Sequence, residues 1–158
     1  MAEPAEKVLA TNPIAHSNYF IEEVIEAGIV LTGTEIKSMR AQSPNIRDSY
    51  IEVRPLRSGL EAWILNMHVG PYSHGNIWNH EASRRRKLLL HAHQIAKLFG
   101  AITQKGLTAI PMRIYLKKGR AKVEIGVGKG KKKYDKRETL KKKSAKLEMD
   151  IALKYKGR

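Results

Sequence analysis

The chain contains no cysteine among its 158 residues. This absence excludes disulfide bonds, thiolate metal sites and cysteine nucleophiles. The sequence also lacks any run of the roughly 18 apolar residues that a membrane-spanning helix needs, and its start, "MAEPAEKVLA", has no apolar signal-peptide core. We therefore expect a cytoplasmic protein that is neither exported nor inserted into a membrane.

Acidic residues are scarce relative to basic ones, with 15 Asp and Glu against 30 Lys and Arg, which gives a formal net charge of +15. The excess is concentrated in residues 129–158, where thirteen basic and four acidic residues give +9 and leave +6 for residues 1–128. Such a charge is usually tolerated because the partner is a polyanion; nucleic acid is the first candidate and an anionic membrane surface is the second. We expect one folded domain over residues 1–128, with residues 1–11 flexible, followed by a basic tail over 129–158.

Apolar and polar residues alternate along residues 110–117 and 121–127, and a glycine-containing turn separates the two segments. This period of two predicts an antiparallel β-hairpin. A second hairpin is predicted around Ser58–Gly59, with one face formed by Trp63, Leu65, Met67 and Val69. A third is predicted earlier in the chain, turning at Ala27–Gly28.

Two segments carry helix signals. Thr32 and Glu35 have the spacing of a capping box, which predicts a helix over residues 33–42. Apolar residues at helical spacing predict a second helix over residues 86–105, and Gly106 stands where a glycine stop belongs.

The arrangement of these elements indicates the fold class. Sequential hairpins with a helix inserted before the last pair favour a mainly β fold, an OB-type antiparallel β-barrel of about six strands with two or three helices, over a β-sandwich. The tail has helix-forming residues but only a thin apolar stripe at Leu140, Leu147 and Ile151. We expect it to be disordered in isolation and helical when bound.

Motifs for catalysis and metal binding are weak. The stretch "GVGKGKK" lacks the glycine spacing and the hydroxyl residue of a phosphate-binding loop. The helix predicted over 86–105 would place His91 and His93 about 200° apart, so they could not share a metal ion. The sequence therefore predicts no enzyme, metal site or cofactor, although a catalytic triad assembled only in space leaves an RNA-processing enzyme open.

Clustered cations predict contacts with RNA phosphates. Four consecutive basic residues on the edge of a docked helix would create a strong local potential. The candidate contacts are Arg84, Arg85, Arg86 and Lys87, together with Lys37 and Arg40, which lie three residues apart on one face of the first predicted helix. Among the aromatic residues, we predict an exposed contact only for Tyr134, inside the basic tail.

Several stretches together resemble the SsrA-binding protein family, small protein B (SmpB), the bacterial partner of transfer-messenger RNA. The matching stretches are "YFIEEVIEAGIVLTGTEIKSMR" (19–40), "NIRDSY" (45–50), "RRRKLLLH" (84–91), "KGLTAIPMRIY" (105–115) and "KVEIGVGKGKKKYDKR" (122–137). Each stretch alone is weak, but their order, spacing and joint occurrence make the resemblance specific.

The resemblance implies an RNA-binding barrel that grips the tRNA-like domain of transfer-messenger RNA. Its implied RNA-facing residues are Asn12, Glu26, Leu89, His91, Lys122, Lys129, Lys131 and Lys132. The family follows its early asparagine with two basic residues, whereas Asn12 is followed here by "PIAHS". Two cations are therefore missing from that part of the implied interface.

The resemblance also implies that the tail enters the decoding region and messenger path of a stalled ribosome and becomes helical there. The residues implied or predicted for this contact are Tyr134, Asp135, Lys136, Arg137, Lys141, Lys142, Lys143 and Lys146. We expect a monomeric, non-enzymatic adaptor for ribosome rescue. The alternative that the residues leave open is a structural ribosomal protein whose basic tail permeates ribosomal RNA.

Overall fold

The fold is built around one antiparallel β-sheet. The computed structural model describes residues 6–72 and 80–131. Within them, seven strands pair in the order β1-β6-β7-β2-β5-β4-β3. The strands are β1 (Lys7–Thr11), β2 (Tyr19–Ile29), β3 (Tyr50–Leu56), β4 (Gly59–Leu65), β5 (Arg86–Leu89), β6 (Thr108–Lys117) and β7 (Arg120–Gly130). The helices are α1 (Ala15–Asn18), α2 (Gly33–Ala41) and α3 (Ala92–Thr103).

The predicted mainly β antiparallel class is confirmed, with one more strand than expected. The sheet curls so that β3 lies against β6. Within residues 6–72 and 80–131, however, no hydrogen-bonded pairing joins the edge strands β1 and β3, so the sheet does not close into a full barrel. None of the helices in this part of the chain is long and apolar enough to cross a membrane.

Two of the three predicted hairpins are confirmed. Lys118 and Gly119 take positive φ values of 53° and 76° in the β6–β7 turn, and Gly59 has a φ of 123° at the β3–β4 turn. The turn predicted at Ala27–Gly28 is wrong, because β2 continues through both residues. Ala27 pairs with Val123 of β7, so the backbone there is committed to the sheet.

The first predicted helix is confirmed as α2, and its capping box is formed. Glu35 Oε1 accepts from the Thr32 backbone N–H at 2.8 Å, and Thr32 Oγ1 accepts from the Glu35 N–H at 3.3 Å. The second helix is six residues shorter at its start than predicted, because Arg86–Leu89 form β5 between β2 and β4. Gly106 ends it as expected, with a φ of 66°.

Both ends of the predicted domain differ from the sequence-based boundaries. Residues 7–11, predicted to be flexible, form β1 and pair with β6. Strand β7 extends to Gly130, so Lys129 belongs to the sheet rather than to the tail. The tail from residue 132 onwards, with its predicted helix, lies outside the described residues.

The core lies on the concave face of the sheet, with α3 packed against it. Alternation along β7 buries Val123, Ile125 and Val127 as predicted. On β4 the prediction was wrong: Ala62 and Ile64 are fully buried, so Trp63 lies on the outer face. After β4 the chain passes through Asn66, whose φ is 60°, and this break allows Met67 and Val69 to be buried too.

Candidate nucleic-acid interface

A cleft of about 810 Å³ lies on the outer face where β2, β5 and β7 adjoin. Its lining includes four of the residues singled out from the sequence, Glu26, Leu89, His91 and Lys122. The strand register explains this meeting, because Gly28 pairs with Leu89 on one side and with Lys122 on the other. Residues from three distant parts of the chain therefore share one surface.

The floor of the cleft is apolar and exposed. Leu89 has 56% of its surface exposed and Val30 has 44%, which is high for aliphatic side chains on a folded domain. Gly28 provides the space beside them, since a Cβ at this position would lie 3.3 Å from Leu89 Cβ. An exposed leucine beside a lysine can contact the flat face of a base or a ribose while the ammonium binds phosphate.

Two side chains of β6, a tyrosine and a lysine, contact the carboxylate of Glu26. Tyr115 Oη donates a hydrogen bond to Glu26 Oε2, and Lys117 Nζ lies 3.8 Å from the same oxygen. Burial, and then the contact with Glu26, raises the pKa of Tyr115, so the hydroxyl remains a neutral donor. A carboxylate fixed in this way repels phosphate and accepts hydrogen bonds from base amino groups or 2′-hydroxyls.

Arg113 extends this network across the outer face. Its guanidinium lies 4.3 Å from the ring centroid of Tyr115, and it bonds to Glu124 on β7 and to Glu6 at 3.3 Å. The contact with Glu124, opposed by burial, raises the pKa of Arg113. These residues were missed as part of the site, although the period-two pattern already placed Arg113, Tyr115 and Glu124 on the outer faces of β6 and β7.

His91 lies at the entrance of the cleft, immediately before α3. Its backbone N–H donates to Gln94 Oε1 at 3.2 Å. Its ring stacks on His93, with centroids 5.9 Å apart and planes 8° from parallel, so the predicted separation on opposite helix faces is wrong. The cause is the later helix start, which leaves His91 outside the helix. Among the described residues, no group of three or more His, Asp or Glu side chains is arranged to hold a metal ion.

The predicted phosphate contact by Arg86 is wrong, because strand alternation turns this side chain into the core. Arg86 is 0% exposed; its Nε donates to Glu35, and its Nη1 donates to Met67 O at 2.8 Å. Every face of the guanidinium that could meet RNA is enclosed by protein. Arg86 therefore supports the site from within.

Glu35 carries the counter-charge for this buried arginine. It is itself 0% exposed, and it accepts from the Thr32 backbone, from Arg84 and from Arg86. Burial favours the neutral acid, but these hydrogen bonds outweigh it and hold the pKa of Glu35 below its ordinary value. Burial lowers the pKa of Arg86, an effect that Glu35 opposes. We call Glu35, Arg84 and Arg86 the ion triad; it ties α2 to β5.

The other cations of the run face outward. The Arg85 guanidinium lies 5.4 Å from the ring centroid of Trp63, and Lys87 Nζ lies 3.6 Å from Glu61 Oε1 on β4. Arg84 is partly exposed, although one of its nitrogens is used by the ion triad. Arg85 and Lys87 thus continue the outer face beyond Leu89.

Asn12 does not present its side chain to a ligand, contrary to the prediction. It is 6% exposed; its Nδ2 donates to Pro111 O at 2.9 Å, and its Oδ1 accepts from the Ile14 N–H at 3.2 Å. Both ends of the amide are used to hold the turn that leads into α1. Its role is therefore structural.

The lysines at the far end of β7 do not join the cleft. Lys129 lies seven residues beyond Lys122 on one strand, which corresponds to a separation of about 23 Å. Lys129 is exposed, whereas the ammonium of Lys131 donates to His16 O at 2.9 Å. On α2, Lys37 and Arg40 are exposed, and Lys37 Nζ lies 5.7 Å from the ring centroid of Tyr72.

The chain is similar to known proteins over most of its length. The model of the family described as "SmpB protein" matches residues 9–155. The chain belongs to the SmpB protein family.

Relatives within the family match over nearly their whole length. The SsrA-binding protein of Lysinibacillus sphaericus (strain C3-41) is 53% identical over 157 residues, covering 99% of each chain. That of Bacillus pumilus (strain SAFR-032) is 54% identical over 148 residues, covering 94% of this chain and 92% of the relative. A solved structure described as "tmRNA-SmpB: a journey to the center of the bacterial ribosome" superposes with a TM-score of 0.64 at 39% identity, covering 83% of this chain and 93% of that one.

The residues implied by the SmpB resemblance thus divide into three groups. Four of them line the cleft, and Asn12, Lys129 and Lys131 lie near α1 or the end of β7. The rest lie outside the described residues; they are Lys132, Tyr134, Asp135, Lys136, Arg137, Lys141, Lys142, Lys143 and Lys146.

Proposed function

We propose that this protein is an RNA-binding adaptor that binds the tRNA-like domain of transfer-messenger RNA and delivers it to stalled ribosomes for trans-translation. The observation that carries the proposal is the cleft, where Glu26, Leu89, His91 and Lys122 meet on one surface of an SmpB family member. Its relatives are SsrA-binding proteins, and its structural neighbour is described with tmRNA and the bacterial ribosome. The net charge of +15 fits an RNA partner.

The outer face combines two kinds of RNA contact. Lys122 in the cleft, and Arg85 and Lys87 beyond Leu89, supply cations for the phosphate backbone. Further contacts at the margins of the outer face come from Lys37, Arg40, Arg84 and Lys129. Glu26 and Leu89 supply an acceptor and an apolar surface, neither of which binds phosphate. Structured RNA is read mainly through shape, backbone and unstacked bases, so the cations supply most of the affinity and the cleft supplies specificity.

The tail has a separate task in this proposal. Residues 132–158 enter the messenger path of a ribosome that lacks a codon, become helical and contact ribosomal RNA through Tyr134, Asp135, Lys136, Arg137 and the lysines that follow. Support comes from the eleven basic and four acidic residues of 132–158, which give this segment a net charge of +7, and from the family resemblance. The protein acts as a cytoplasmic monomer and performs no catalysis in this account.

Replacing Lys122 with methionine tests the cleft directly. We expect affinity for the tRNA-like domain to fall about tenfold, because a charge-assisted contact is lost while the aliphatic stem remains. The slope of log affinity against log salt, about −3 to −5 for roughly five phosphate contacts, should become less steep by about 0.7–0.9. Filter binding of the isolated tRNA-like domain over a salt series measures both quantities.

Lys105→Met is the matched control. Lys105 is an exposed lysine beyond the C-terminal end of α3, whereas the cleft adjoins the start of that helix. This variant removes the same charge and should keep the wild-type affinity and salt slope. Equal losses in the two variants would mean that net charge alone, and not the cleft, binds the RNA.

A further inference from the structure

The last residue that the structure describes is fastened to α1. The Lys131 backbone N–H donates to Asn18 O at 2.8 Å, and its Nζ donates to His16 O at 2.9 Å. The same Nζ lies 4.7 Å from the ring centroid of Phe20, at the start of β2. Two hydrogen bonds, one from the backbone and one from the side chain, and a cation–π contact therefore hold Lys131 beside α1.

The chemistry of α1 explains why a lysine is suited to this position. A helix of four residues leaves its last carbonyls without partners inside the helix. The Lys131 ammonium donates to the carbonyl of His16, the Lys131 backbone N–H donates to that of Asn18, and the positive charge interacts favourably with the negative end of the helix dipole. Phe20, 48% exposed, offers its ring to the other side of the ammonium. The positive charge of Lys131 is therefore used within the chain.

Helix α1, which supplies the partners of Lys131, is itself fixed to the sheet by hydrogen bonds and packing. The buried amide of Asn12 joins Pro111 O on β6 to the N–H of Ile14. Ala15 is 0% exposed and packs with Ile110 and Met112 in a small apolar cluster on the outer face. Movement of α1 would break both the hydrogen bonds and this packing.

Close approach of β7 to β2 fixes Phe20 as well. A Cβ at Gly128 would lie 2.0 Å from Phe20 O, so only glycine allows the two strands to come this near. The approach occurs where the β2–β7 register shifts between Ile21 and Glu23. This close approach fixes the distance between Phe20 and the end of β7. The strand ends two residues before residue 132, where the tail begins.

We propose that Lys131, Phe20 and α1 form a clasp that sets the direction in which the tail leaves the sheet. Lys131 is then a positioning residue for the tail, and Asn12 serves the same clasp from within the protein. Neither side chain contacts RNA phosphate. The inference rests on the proposed function, in which the sheet binds RNA and the tail acts in the ribosome.

The test compares Lys131→Met with Lys129→Met, two substitutions that remove one lysine charge two residues apart. For Lys131→Met, we expect an unchanged salt slope for RNA binding and about a tenfold loss of peptide tagging at saturating transfer-messenger RNA, since the ammonium contacts are lost. For Lys129→Met, we expect the slope to become less steep by about 0.7–0.9, with tagging restored once the RNA is saturating.

Phe20→Ala provides a second variant that removes no charge. It should reduce tagging at saturating RNA with an unchanged salt slope, and hydrogen exchange at the Lys131 amide should become faster in both Phe20→Ala and Lys131→Met. The clasp is overturned if Lys131→Met lowers the slope as Lys129→Met does, or if Phe20→Ala tags at the wild-type level. Failure of the wild-type chain to bind transfer-messenger RNA is a separate result, which overturns the proposed function and the clasp with it.

Discussion

Glutamine in place of Glu35 is expected to lower the free energy of unfolding by about 3–5 kcal/mol, because it leaves a buried guanidinium without its counter-charge. Arg86 is 0% exposed and cannot recover water when the carboxylate is gone. Glutamine still completes the capping box with Thr32, so the loss reports on the ion triad rather than on the cap of α2. Urea denaturation of the two proteins measures the difference.

Glu52→Gln is the control for this variant. Glu52 pairs with Arg54 at 2.8 Å, but the two side chains are 34% and 46% exposed. Such surface pairs contribute about 0–1 kcal/mol. If Glu35→Gln costs no more than Glu52→Gln, Arg86 is not enclosed as the structure has it, and the ion triad does not hold α2 to β5.

The stabilisation by Glu35 should also depend on pH. The pKa of Glu35 is held below its ordinary value of 4.5, so the folded chain releases this proton more readily than the unfolded chain does. The stabilisation is therefore complete above the unfolded pKa and disappears as the pH falls through the lower, folded pKa. The difference in stability between wild type and Glu35→Gln should shrink correspondingly in acid.

Removing residues 132–158 is expected to abolish peptide tagging while most of the specific affinity for the tRNA-like domain remains. The cleft and its cations lie in the sheet, whereas the removed segment carries the residues proposed to act in the ribosome. The cut is placed after Lys131 because β7 extends to Gly130 and the clasp uses Lys131. A cut at residue 129 would damage both.

Two assays on the truncated chain separate the two tasks. Filter binding measures its affinity for the tRNA-like domain, and a tagging reaction on stalled ribosomes measures rescue. The full-length chain at matched RNA occupancy is the control. If the truncation lowers the specific affinity and the tagging by the same factor, RNA binding does not belong to the sheet alone, and the tail does not act only in the ribosome.

The run of four cations shows how far the sequence alone could predict the site. Charge density at Arg84 to Lys87 indicates a basic surface, and Arg85 and Lys87 do face outward. Arg86 turns inward because the segment is a strand and not the start of a helix. Its counter-ion lies 51 residues away in the chain, and no local pattern reveals such a pairing.

The sequence identified residues of the cleft but not their arrangement in space. Family motifs named Glu26, Leu89, His91 and Lys122, yet nothing local shows that β2 adjoins both β5 and β7. Gly28 illustrates the difficulty, since a glycine after alanine was interpreted as a turn. Its actual role is to let Leu89 pack closely across the strands, which depends on tertiary pairing.

Sequencing the RNA that co-purifies with the full-length protein shows whether this chain carries one particular RNA. We predict one discrete RNA that can be aminoacylated and whose isolated tRNA-like domain competes for binding. Absence of such an RNA, with the protein present in stoichiometric amounts in salt-washed ribosomes, would rule out the adaptor role and favour a structural ribosomal protein.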